Sequence, residues 1–165
     1  MVKPLASVRF GLALVLLGLC FGIGMGVMFG VNEEAFQSHI AAGIAAHPEV
    51  NDAASKNAIW RYAQRAHFHA TGIGAFSLGL VLLAAFSGMH PRWKKITSTL
   101  IGLGACYPLS WFTMFYIAPE IGRKAAHQYW LVELFTYIGV GGLLLGLAPL
   151  LANLFLHALE EPPLN

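Results

Sequence analysis

Four stretches of this chain are apolar over the length needed to cross the hydrocarbon core of a bilayer, and this narrows its possible folds more than any other feature. Without water to satisfy peptide groups, a spanning segment must bond its own backbone, so each stretch is expected to be helical. The expected spans are about residues 8–31, 66–89, 96–118 and 129–157. Composition agrees, with 57% of residues hydrophobic and 11% charged, against roughly 25% charged in an ordinary soluble domain. The expected fold is an all-α integral membrane four-helix bundle, one membrane domain over residues 1–165, with an extra amphipathic helix on its outer face. A formal charge of +2 is too small and too dispersed for a nucleic-acid surface.

The polar stretch 32–64 separates the first two spans. Asn32 is a candidate N-cap, with Glu33 and Glu34 in the first helical turn behind it. Phe36, Ile40 and Ile44 recur every fourth residue, which gives an amphipathic helix ending near His47-Pro48. Asn51-Asp52 or Ser55 restarts a helix that can run through Trp60 and Tyr62 into the second span. HPRWKK (90–95) is expected to be a short basic turn, Pro108 to kink the third span, and PEIGRKAAHQYW to link the last two.

Lysine and arginine in the loops set orientation. Lys3, Arg9, Arg92, Lys94 and Lys95 fall at one end; Lys56, Arg61, Arg65, Arg123 and Lys124 fall at the other. The tie is broken by the basic N-terminus and the compact HPRWKK turn, both directly beside spans. Both termini are therefore expected in the cytoplasm, in a bacterial inner membrane, with the first span retained as a signal anchor. The tail EEPPLN is too short for a role to be read.

Gly18, Gly22, Gly26 and Gly30 line one stripe of the first helix, and Gly139, Gly142 and Gly146 repeat the device in the fourth span. In lipid, small residues that let backbones approach drive helix association. Close packing within one bundle, a homo-oligomer face or a bed for a flat cofactor all fit such stripes. Trp111, Phe112, Phe115, Tyr116, Tyr129 and Trp130 form an interfacial aromatic belt or a stacking platform. Cys20 and Cys106 lie within apolar runs and are expected to pack as small hydrophobes.

RAHFHATGIGAF (65–76) opens the second span with Arg65, His67 and His69. Five of the seven histidines, His39, His47, His67, His69 and His127, fall at the non-cytoplasmic end. His67 and His69 point about 200° apart on a helix, so only one can face a given partner. His67 shares a stripe with Thr71 and Gly74, where missing side chains would leave room, and is placed slightly ahead of His69. Three chemistries fit. A b-type haem would take a second-span histidine and His127 as axial ligands, with Arg65 and Arg123 beside its propionates. A copper or zinc ion would use His67 or His69 together with His127 and Glu133. A quinone headgroup would be held by histidine, Glu133 and the aromatics. Solvated interfacial histidines are the plain alternative. Glu133, an acid about one turn inside a span, is expected to pair with Arg65, Arg123, Lys124 or a histidine, or to carry protons.

RAHFHATGIGAF behind Trp60 and Tyr62 resembles the helix of haem-copper oxidase subunit I that carries a low-spin haem ligand. The likeness covers about residues 60–80 and implies a haem-ligand role for His67 or His69; it implies no copper-haem oxygen centre. GxSxG, P-loop and HExxH motifs are absent. The expected function is a small membrane redox or electron-transfer subunit with a haem or metal site near the outer surface. The alternative is a non-enzymatic accessory subunit, docked on a larger membrane complex or on copies of itself.

Overall fold

The computed structural model describes residues 5–160, so Lys3 and all of the tail except Glu160 lie outside the described residues. The described residues are 86% helix and contain no strand. Its helices are α1 (Arg9–Ala46), α2 (Ser55–Phe86), α3 (Pro91–Gly102), α4 (Tyr107–Ile121), α5 (Arg123–His127) and α6 (Trp130–Leu156). Four stretches, α1, α2, Pro91–Ile121 and α6, are long and apolar enough to cross a membrane.

α1 is two helices joined at Asn32, whose backbone leaves the helical region at φ −150°, ψ 57°. Asn32 Oδ1 accepts the Ala35 amide at 3.2 Å, so the break carries the cap its sequence offers. Beyond it Ile40 is fully buried, with Phe36 and Ile44 packed beside it. The helix stops at Ala46, ahead of Pro48. α2 restarts just behind a turn in which Ser55 Oγ accepts the Asp52 amide and donates to Asp52 Oδ1, both at 2.9 Å.

The basic stretch at 90–95 is helical rather than a turn. His90 caps α3 by accepting the Arg92 amide at 3.2 Å, and Pro91 occupies the first turn, where its missing N–H leaves no bond unmade. Lys94 Nζ reaches back to the Ala85 carbonyl at 2.9 Å and closes the end of α2. The third long apolar stretch, Pro91–Ile121, breaks at Leu103–Cys106, a 3-10 turn just ahead of Pro108. Pro108 has no amide to give the Gly104 carbonyl, which takes the Tyr107 N–H instead.

α1 packs chiefly on α2, α2 on α4, and α6 on α3 and α4. One buried cluster, around Val8, Val81, Met89 and Leu150, gathers at the end where the His90 amide bonds the Leu159 carbonyl. A second, around Met25, Ile40, Tyr62 and Phe115, sits at the end carrying α5. Glycines set the separations. A β-carbon at Gly22 would lie 2.8 Å from the Thr71 amide nitrogen, and one at Gly26 2.7 Å from the His67 ring. Gly142 and Gly146 meet Leu103 and Ile101 in the same way, whereas Gly30 faces open space. Cys20 is exposed rather than packed.

Gly22→Leu and Gly26→Leu should each lower stability by about 1–3 kcal/mol through overpacking. Gly30→Leu should stay within about 0.5 kcal/mol of the parent, as a surface change does. Thermal unfolding in detergent separates the three, and equal losses at all of them would rule out this account of the stripe.

Candidate functional site: imidazoles around Trp111

The first turns of α2 project two histidines to opposite sides. His67 turns toward α1: its Nδ1–H donates to the Gly22 carbonyl at 2.7 Å, and its ring lies over Gly26 and edge-on to Phe29, 5.7 Å between centroids. The Thr71 and Gly74 stripe beneath it leaves no room for a ligand, because Gly22 and Leu19 of α1 fill that space.

His69 turns toward α4, with ring centroids 5.1 Å from Tyr107 and 5.9 Å from Trp111. One turn earlier on the same face, the Arg65 guanidinium carbon stands 4.6 Å from the centre of the Trp111 ring, a cation–π contact. α5 delivers His127 from the other side. Its Nε2 is hydrogen-bonded to Tyr62 Oη at 3.0 Å, and its ring meets Trp111 edge-on at 6.3 Å. Trp111 thus touches both imidazoles, and its buried indole N–H has no hydrogen-bond partner among the described residues.

A cavity of about 270 Å³ opens between α4 and α6, lined by Tyr107, Trp111, His127, Glu133, Thr136 and others. That is near the lower limit of small-molecule pockets. Glu133 lies in the first turn of α6 with an exposed side chain, and among the described residues none pairs with it. Two of its expected partners are engaged elsewhere: Arg65 on Trp111, and Arg123 on Asp52, 2.7 Å between Nη2 and Oδ2.

Of the residues singled out from the sequence, the structure gathers Arg65, His69, His127 and Glu133 about Trp111 and its cavity, and separates His67 and Arg123 from them. A porphyrin ligated by His69 and His127 does not fit this arrangement, since an indole stands against both rings. Among the described residues no three His, Cys, Asp or Glu side chains converge as metal ligands. The remaining histidines have local partners: His39 donates to the Tyr116 carbonyl at 3.0 Å, His47 lies 3.5 Å from Glu49, His90 caps α3, and His157 meets Glu160 at 2.6 Å.

Tyr62 and Tyr107 were missed as site residues, and Trp111 was expected only as one member of an aromatic belt or stacking platform. A signal existed: Tyr62, Arg65 and His69 are three and four residues apart, so they share a helix face, as do Tyr107 and Trp111. Comparison with family models, curated proteins and solved structures found no match to this chain.

The Asp52 carboxyl is held below its ordinary range, first by the Ser55 hydroxyl and then by the Arg123 guanidinium. Its folded pKa is depressed, so the stabilisation is complete above the ordinary aspartate range and is lost as pH falls through the folded value. Asp52→Asn should therefore flatten the acid limb of a plot of unfolding temperature against pH. An unchanged acid limb would show that this junction does not contribute.

Proposed function

We propose that this is a four-span integral membrane protein, its helices gathered as a bundle with both termini at the cytoplasmic surface. It binds a quinone-type headgroup beside Trp111, near the non-cytoplasmic surface, as a small redox or electron-transfer subunit. The cavity between α4 and α6 carries this reading. Its 270 Å³ suits a single substituted ring better than a macrocycle. Tyr107 and Trp111 supply aromatic faces, while the His127 imidazole supplies a donor for a ring carbonyl and the Glu133 carboxylate an acceptor for the hydroxyl of the reduced form. Tyr62 holds His127 in place through its hydroxyl. An unpaired carboxylate beside an imidazole also suits a headgroup that gains and loses protons as it changes redox state.

The test uses the purified full chain in detergent and a short-chain ubiquinone analogue. Saturable quenching of tryptophan fluorescence is expected, with Trp111→Phe assigning the signal. His127→Ala should weaken binding of the quinone by up to about tenfold, the effect of one lost hydrogen bond, and Glu133→Gln should do the same for the reduced quinol, whose hydroxyl the carboxylate accepts. Quenching that never saturates, or that ignores both substitutions, would defeat the quinone assignment. A Soret band that disappears in His127→Ala would replace it with haem. A colourless protein that binds no quinone and always co-purifies with one membrane partner would replace it with an accessory role.

A further inference from the structure

At the end opposite α5 lies a larger concavity, about 630 Å³, lined by Arg9, Phe10, Pro91, Arg92, Lys95 and neighbouring residues. Its three cations have no ion pair among the described residues. At this end the described acid is Glu160, which is bound to His157. Lys94, the fourth cation nearby, is held by the Ala85 carbonyl and does not line the cavity.

Two helices begin at the cavity wall, α1 at Arg9 and α3 at Pro91. Neither carries an acidic residue in its first turn, and α1 has no side-chain cap. The first amides of α1 and the positive ends of both helix dipoles add to the field of the three side chains, so the space is electropositive from backbone and side chains together. Phe10, 56% exposed, and Trp93, 38% exposed, give this end an apolar collar. A purely topological signal needs only positive charge near the span ends. It does not require a concavity, converging helix ends or exposed aromatics.

We infer that this cavity binds the phosphodiester headgroup of an anionic phospholipid in the cytoplasmic leaflet. Arg9, Arg92 and Lys95 hold the phosphate, and the acyl chains run along the apolar flanks beside Phe10. Basic pockets between helices at the cytoplasmic face are suited to such headgroups. The inference rests on the membrane orientation proposed above and is independent of the quinone site at the other end.

Native mass spectrometry and thermal unfolding of the full chain in detergent test it. Phosphatidylglycerol is added and compared with phosphatidylcholine and inorganic phosphate at the same concentration. Phosphatidylglycerol should be retained and should raise the unfolding temperature, whereas the other two should do neither. Arg92→Gln with Lys95→Gln should lower its affinity about thirtyfold, at roughly fivefold for each basic residue near an anionic surface. The same double variant should still bind the quinone analogue like the parent, which confirms its fold and separates the two sites. Arg92→Lys should retain most of the lipid binding. Equal retention of both lipids, or a double variant that binds phosphatidylglycerol undiminished, would overturn the proposal. So would inorganic phosphate reproducing the full shift, since the ligand would then be a soluble phosphate.

Discussion

The seat of His67 against the Gly22 carbonyl and the bare backbone of Gly26 fixes how α2 is rotated about its own axis, and the α5 end follows from that rotation. With His67 turned toward α1, residues on the opposite face must turn toward α4. Arg65 and His69 lie there, and both meet Trp111. A small residue at each contact lets the helices approach closely enough for an imidazole to reach a main-chain carbonyl in the neighbouring helix. Inside a span that carbonyl already accepts an intrahelical bond, so His67 uses its second lone pair. The bond costs no helical geometry and locks the register of α1 against α2.

α4 meets this face in a fixed register for a different reason. Pro108 cannot continue the hydrogen-bond ladder, and the 3-10 turn before it winds more tightly than the helices on either side. This resets the phase of the span between Gly102 and Tyr107, so that Tyr107 and Trp111 come to lie against His69. The same reset leaves Leu103 under Gly142 of α6. A second proline, Pro119, ends the span's regular bonding near Asn51, whose amide donates to the Pro119 carbonyl at 2.9 Å and to the His47 carbonyl at 2.8 Å. One side chain therefore closes two helix ends and ties the polar segment down over the aromatic cluster.

Much of this was legible in the sequence. Apolar run length marked the four long helices, because the requirement is a count of residues rather than a contact. Asn32, Pro48 and Ser55 act locally and ended or started helices where their chemistry indicates. The glycine stripe was legible as a packing face down to Gly26. That Gly30 falls beyond the contact depends on the break at Asn32, a matter of tertiary path. The choice between His67 and His69 was not legible. Periodicity showed that they point apart, but which faces α4 depends on where α1 packs. Small neighbours at Thr71 and Gly74 suggested room, and the same smallness served the approach of another helix. Arg123 was expected beside a haem propionate or Glu133, while its partner, Asp52, lies 71 residues away.

Glu133 shows why an acid near the end of a span need not have a cation beside it. Glu133 has an exposed side chain and sits in the first turn of α6, where unbonded amides and the helix dipole favour negative charge. Those two effects replace the salt bridge that its position in an apolar run suggested. The consequence reaches the cavity. A carboxylate neutralised by Arg123 or Lys124 would be a poor acceptor for a ligand hydroxyl, whereas one supported only by backbone dipoles keeps its lone pairs directed outward. His127, on the same wall, is already oriented by Tyr62. Among the described residues the cavity therefore offers one acceptor without a competing partner and one imidazole held in place.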